Sequence, residues 1–422
     1  MDHQNHSLPR VVVTGLGMVT PLGLDVPSTW QNLLKGVSGA SPLTRFDASG
    51  YAVRIACEVK NFNPEAYPGV IEKKEAKRLD RSIQFTLAAA AEALRHSGLK
   101  ITDENADEVG ALVGSGIGGL SSVNDAFDTL YTKGPMRVSP FTATNMLPNM
   151  PAGQVAITFG ARGINFCIIS ACATGSHALG EAFEIIRRGD AQAMIVGGVE
   201  AAITPLGLAA FHRTGAMSTR NDDPERASRP FDAERDGFVM SEGAGVLVLE
   251  NLDFARQRGA HILAEIIGYG ATDDAFHASA PAEGGTGAVK AMQRALKKAR
   301  VEPKDIDYIN AHGTSTVMND KSETQAIKTV FGERAYDIPI SATKSMLGHM
   351  LGASGAVEAV ATVKTIQEGI IHPTINLEHP DPACDLNYVP GGALRKDVTV
   401  ALSNSFGFGG HNASVIFRKY QE

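Results

Sequence analysis

Short apolar runs that stop at glycine and give way to helical periodicity recur along this chain, and that alternation points to an α/β fold. Arg10-Val11-Val12-Val13-Thr14, Gly110-Ala111-Leu112-Val113 and Ala193-Met194-Ile195-Val196 read as strands, each followed by a glycine-rich turn. Between them, Arg81 to Ser97 spaces Phe85, Ala88 and Ala89 for a buried helix, and Gly98 closes it. A second helix runs from about Gly287 to Arg300, with Val289, Met292 and Leu296 on one face. Ser218 to Asp236 is polar, rich in arginine and aspartate, and reads as a long ordered surface excursion before the strand Gly245 to Leu249.

The pattern repeats itself loosely. Ala111 to Gly116 resembles Tyr308 to Gly313, and the strand, turn and helix around Cys172 has a counterpart in Pro339 to Lys344 followed by the apolar stretch Gly355 to Val363. Two like halves, 1–255 and 256–422, would bring corresponding strand ends to one central site. A chain of 422 residues, 43% hydrophobic and 20% charged, can bury a large core of roughly two to three domain-sized units.

Charge and cysteine usage exclude several roles. The net charge of -7 argues against general affinity for nucleic acid or anionic membrane, so an acidic partner must find a local basic patch. Cys57, Cys167, Cys172 and Cys384 form no Cys-x-x-Cys pair, which indicates neither a zinc site nor a disulfide framework and suits a reducing cytosol. The start, Met1 to Pro9, is polar without a signal-like core, and no apolar run approaches the ~18 residues of a membrane span. A cytoplasmic location is therefore expected.

Cys172 follows Ile168-Ile169-Ser170-Ala171, where a run read as a buried strand, Asn165 to Ile169, gives way to small residues. Leu179, Phe183 and Ile186 then recur at helical spacing until Gly189. A thiol at a helix start is exposed to unpaired N–H groups and the positive end of the dipole, which lowers its pKa from about 8.5. The competing reading is an inert buried cysteine; the small, glycine-containing turn leaves room for a substrate. Three other segments place chemistry just after a strand: Asn310-Ala311-His312-Gly313-Thr314-Ser315-Thr316, Thr343-Lys344-Ser345-Met346-Leu347-Gly348-His349 and Asn404-Ser405-Phe406-Gly407-Phe408-Gly409-Gly410.

Together these residues resemble the condensing enzymes of the thiolase superfamily, most closely the β-ketoacyl-[acyl-carrier-protein] synthases of the synthase II type. The resemblance runs from Val12-Val13-Thr14-Gly15-Leu16-Gly17 to Phe406-Gly407-Phe408-Gly409-Gly410, and includes Ser218-Thr219-Arg220, Arg229-Pro230-Phe231-Asp232 and Arg235-Asp236-Gly237-Phe238. It implies a thiolase-like fold of two duplicated α/β halves in five layers, α-β-α-β-α, and a homodimer. Cys172 would carry the acyl chain as a thioester. His312 and His349 would hydrogen-bond the malonyl thioester during decarboxylation, and the N–H groups of Cys172 and Phe408 would hold the oxyanion. The Phe408 ring would gate the cysteine. Lys344 and Glu358 match family positions, either as a structural ion pair or to orient His349. Asp320 and Glu323 match acidic positions read as structural.

For binding, the resemblance assigns Ile117 to the acyl pocket, and Thr314 and Thr316 to the phosphopantetheine arm, though turn threonines also bond local backbone. Lys74, Lys77 and Arg78 would dock the acyl carrier protein in its acyl and malonyl forms. No tightly bound cofactor or metal is implied, because the phosphopantetheine arrives on the carrier. The chain departs from the pattern at Gly215, where many relatives carry a docking arginine, at Val317-Met318-Asn319, where proline and glycine are common, and at Ser279, in place of a threonine. His349 in Gly348-His349 argues for an elongating enzyme, and Cys384 lacks the setting of a thiolase's second thiol. A polyketide ketosynthase is the runner-up. A noncatalytic chain-length subunit would lack Cys172.

Overall fold

The computed structural model describes residues 8–422, so most of the polar start read above, Met1 to Ser7, lies outside the described residues. Ten strands build the framework: β1 (Val11–Val19), β2 (Val109–Ser115), β3 (Asn165–Phe166), β4 (Ala193–Glu200), β5 (Gly243–Asn251), β6 (Ala264–Asp273), β7 (Tyr308–Asn310), β8 (Ile340–Ser341), β9 (Val400–Gly407) and β10 (His411–Arg418). Their order is β8-β7-β9-β10-β6-β1-β5-β4-β2-β3. Read outward from the centre, the two sets of five match. In the first, β3, β2 and β4 are parallel while β5 and β1 run antiparallel. In the second, β8, β7 and β9 are parallel while β10 and β6 run antiparallel. Only Val11–Val13 against Ala264–Ile266 joins the sets.

Helices complete five layers. Among them are α1 (Arg81–Ser97), α2 (Leu120–Lys133), α3 (Met150–Phe159), α4 (Thr174–Arg188), α5 (Thr286–Ala299), α6 (Val317–Phe331) and α7 (Ser354–Glu368). α1 and α3 cover the outer face of the first sheet, and α5 and α6 that of the second. α4 and α7 touch each other and strands of both sheets, which makes them the middle layer. This is the thiolase-like, duplicated α/β architecture. α1 ends where expected, at Gly98 with φ +65°, and α4 at Gly189 with φ +81°. Among the described residues, no helix is long and apolar enough to cross a membrane.

Three local readings need correction. Gly15 and Gly17 are not a turn after a strand but lie inside β1. A Cβ on Gly17 would stand 1.9 Å from the Ala89 carbonyl oxygen and one on Gly15 2.2 Å from that of Ala93, so these glycines let α1 press its backbone onto the sheet. The run Asn165 to Ile169 is not a buried strand. Its strand, β3, is two residues long at the sheet's edge, and Phe166 and Ile169 are 41% and 53% exposed, because among the described residues no strand lies beyond it. Finally, Ser218 to Asp236 is only partly a surface excursion. Arg229, Phe231 and Asp232 are buried, with an Arg229–Asp232 ion pair of 3.0 Å.

Candidate active site

Cys172 occupies the single-turn helix Ala171–Ala173 that leads into α4. Ala171 takes φ +49°, which turns the chain sharply enough to place the thiol at the helix start. The turn is tied by Thr174 Oγ1, which accepts from the Ser170 N–H at 2.9 Å, and by a 2.6 Å hydrogen bond between Ser170 Oγ and His177 Nδ1. Gly407, at the end of β9, packs so tightly here that a Cβ would lie 3.1 Å from the Cys172 nitrogen. The glycine thus brings the following Phe408 N–H to the sulfur. That N–H, that of Cys172 itself and the charge of Lys344 all favour the thiolate. Burial is the largest influence and pushes the thiol up to about 11, opposite in direction to the lowering expected of a helix terminus, which favours a thiol as the resting group.

His312 follows β7 and His349 follows the short helix Lys344–Leu347, and both are buried. Their ring centroids are 5.5 Å apart at 83°. His349 Nδ1 accepts from the Leu351 N–H at 3.2 Å and lies 3.1 Å from Ser354 Oγ. An accepting Nδ1 leaves the proton on Nε2. For His312 the same tautomer follows from the Lys344 ammonium 3.4 Å from Nδ1. Burial, then Lys344, holds both imidazoles well below their usual pKa, with His349 adding to the effect on His312. They are neutral Nε2–H donors at pH 7.

Lys344 and Glu358 form a buried ion pair. The lysine does not orient His349 as anticipated. It donates to the His312 carbonyl at 2.7 Å and serves His312, while Ser354 and the Leu351 N–H serve His349. Glu323 accepts from the N–H groups of His312 and Gly313, each at 2.8 Å, and Asp320 from that of Thr314 at 3.0 Å. Both carboxylates hold the His312 turn. The buried part of Ser218 to Asp236 grips it from outside: the Phe231 N–H donates to Asp320 at 2.9 Å, and Arg235 lies 3.4 Å from the same carboxylate.

Cys172, His312, His349 and Phe408 line one cavity of about 560 Å³, together with Thr314 and Thr316. The two threonine hydroxyls are 2.8 Å apart, and Thr316 also caps α6. Gly215, Ser279, Val317, Met318 and Asn319, the departures from the family pattern, line the same cavity. Val317 and Met318 present exposed apolar side chains there. Ile117 is not on its wall; it packs, half-buried, against the cluster of Cys172, Ala202 and Leu351. Lys74, Lys77 and Arg78 are exposed around the short helix Lys73–Ala76, apart from the cavity lining, with Arg78 over the Phe141 ring at 5.0 Å. The sequence reading missed Ser354, Phe238 beside His349 at 5.3 Å, and Glu200. Glu200, a lone carboxylate closing the apolar run Ala193 to Val199, was the one with a visible signal.

A cysteine and two histidines gathered where two like α/β halves meet define a condensing enzyme of the thiolase-like fold. Sequence profiles agree: "Beta-ketoacyl synthase, N-terminal domain" matches residues 9–255 and "Beta-ketoacyl synthase, C-terminal domain" residues 263–378. The chain is 53% identical over 412 residues to the 3-oxoacyl-[acyl-carrier-protein] synthase 2 of Synechocystis sp., covering 98% of each. It is 52% identical to the protein of that name from Staphylococcus aureus, over 98% of this chain and 99% of that one. Among solved structures, a β-ketoacyl synthase from Burkholderia phymatum matches with TM-score 0.90 and 37% identity, over 98% of this chain and 100% of that one. A type II polyketide ketosynthase solved with its acyl-carrier protein matches with TM-score 0.91 and 35% identity, at the same coverage. This chain belongs to the β-ketoacyl synthase family.

Proposed function

We propose that this protein elongates fatty acyl chains by two carbons through decarboxylative condensation with malonyl-[acyl-carrier-protein], as a synthase II. The observation that carries this reading is the pair of neutral Nε2–H donors sharing one cavity with the Cys172 thiol. In the first half-reaction the sulfur attacks the acyl thioester on the carrier. The carrier's thiol leaves with the proton, and Cys172 is acylated. The N–H groups of Cys172 and Phe408 receive the oxyanion. In the second, His312 and His349 donate to the malonyl thioester carbonyl. The C–C bond to the carboxylate breaks, carbon dioxide departs, and its electron pair becomes an enolate. The enolate carbon attacks the acyl carbonyl, the C–S bond to Cys172 breaks, the released thiolate takes a proton from water to restore the resting thiol, and the ketoacyl product leaves on the carrier. The cysteine and histidines supply all of this chemistry, so no bound cofactor is required.

Fatty acyl substrates are favoured over polyketide ones because the relatives named for 3-oxoacyl synthesis are 53% and 52% identical, against 35% for the polyketide ketosynthase. The acyl carrier protein is the expected partner, docking at Lys74, Lys77 and Arg78, with its arm beside Thr314 and Thr316 and the Phe408 ring as the gate. A homodimer is supported by the unpaired edge of β3, where Phe166, Ile169 and Ile157 of the adjoining α3 are all exposed. A cytoplasmic setting suits four free cysteines.

Mass spectrometry after incubation with acyl-carrier proteins of several chain lengths tests the scheme. Cys172→Ala abolishes the acyl-enzyme. His312→Ala or His349→Ala lowers carbon dioxide release from malonyl-carrier protein by roughly 10²-fold while acylation survives in part. Acyl groups found on Cys57, Cys167 or Cys384 would overturn the assignment, and absence of product with every fatty acyl chain would favour polyketide substrates.

A further inference from the structure

Glu200 is fully buried at the end of β4 and forms no ion pair among the described residues, yet its carboxylate is well satisfied. Oε2 accepts from the N–H of Gly116 at 2.9 Å and from that of Gly352 at 3.1 Å, and Oε1 from Ser115 Oγ at 3.0 Å. The two N–H groups belong to different halves of the molecule. Gly116 opens the loop that carries Ile117, and the Ser115 hydroxyl that meets Glu200 also accepts from the Gly118 N–H at 2.9 Å. Gly352 follows Leu351, whose backbone takes φ +46° and whose N–H sets the tautomer of His349. A Cβ at Gly116 would lie 2.7 Å from Glu200 Oε2 and one at Gly352 2.9 Å from it, so both segments close directly on the carboxylate.

An unpaired buried carboxylate is costly, and burial pushes this one up to about 7 against its donors. An apolar residue would fill the space at less cost but would release two N–H groups. We propose that Glu200 is a positioning residue for condensation, clamping the Ile117 loop on the acyl side and the Leu351 turn that orients His349 on the malonyl side. Acyl acceptance and decarboxylation then depend on one side chain. This rests on the condensation reading above.

The arrangement separates reach from charge. In Glu200→Gln, the amide oxygen can accept from both N–H groups while the NH2 donates to Ser115 Oγ, so the clamp survives without charge. Glu200→Asp keeps the charge but is one methylene short of spanning both segments. The experiment measures condensation and carbon dioxide release by full-length protein with acyl- and malonyl-carrier proteins. Titration of Cys172 with iodoacetamide counts the folded sites in each preparation. The expected result is a kcat roughly tenfold lower in E200D with little change in KM for malonyl-carrier protein, and near wild-type kcat in E200Q. E200D at wild-type kcat, or E200Q as impaired as E200D, overturns the clamp. A wild-type protein that forms no ketoacyl product would instead overturn the condensation reading itself.

Discussion

At the scale of single residues, protonation divides the labour between the cysteine and the histidines. Burial raises the Cys172 thiol to about 11, so the thiolate fraction grows about tenfold per pH unit through the neutral range. Alkylation by iodoacetamide should therefore keep accelerating past pH 9; a plateau near pH 7 would contradict the buried, protonated resting state. The histidines behave oppositely. Their values are depressed, and in the proposed scheme the neutral form is the donor, so protonation, and with it the expected loss of decarboxylation, is deferred to pH well below 6.5. Carbon dioxide release from malonyl-carrier protein should stay flat from pH 8 down past 6.5. Cys172 sits in a single-turn helix and His349 follows a short one, but the residue types and the place of His312 after a strand were legible in the sequence. The protonation state of the thiol was not, since a helix start argues one way and burial, invisible in a linear string, wins.

Among elements, tight helix-to-sheet packing decides what glycine means. Gly15 and Gly17 look like a turn signal after Val13, but they are the floor on which α1 rests. Gly17→Ala would drive a methyl group into the Ala89 carbonyl and must displace the helix or bend the strand, at a cost of about 3 kcal/mol or more. A urea midpoint unchanged from wild type would refute that packing. Helices were readable with good bounds because their signals are local: apolar spacing, then a glycine such as Gly98 or Gly189 that adopts positive φ. Strand β3 was overextended because an apolar run looks the same whether its cover lies within the chain or outside it.

For the whole molecule, the duplicated halves explain why the site is central. β2 and β4 bring Ile117 and Glu200 from one side, while β7, β8 and β9 bring His312, Lys344 and Phe408 from the other. The exposed edge at β3 predicts self-association. Ile169→Asp should convert a dimer into a monomer in sedimentation and reduce condensation with long acyl chains. A wild-type chain that sediments as an active monomer would contradict the proposed dimer. The proposed carrier docking is tested separately: reversing Lys74 and Lys77 to glutamate should raise KM for carrier-borne substrates, more so at low salt, with kcat little changed.

The sequence by itself determined the α/β class and the duplicated pattern, because each depends on residue type and short-range spacing, and its family resemblance supplied the roles expected of Cys172, His312 and His349. Tertiary structure alone decided which groups those residues meet. Lys344 serves His312 across 32 residues of chain, and Glu200 reaches Gly352 across 152. Such contacts, and the burial that sets each charge, arise only when two halves far apart in sequence close on one another. No local periodicity encodes them.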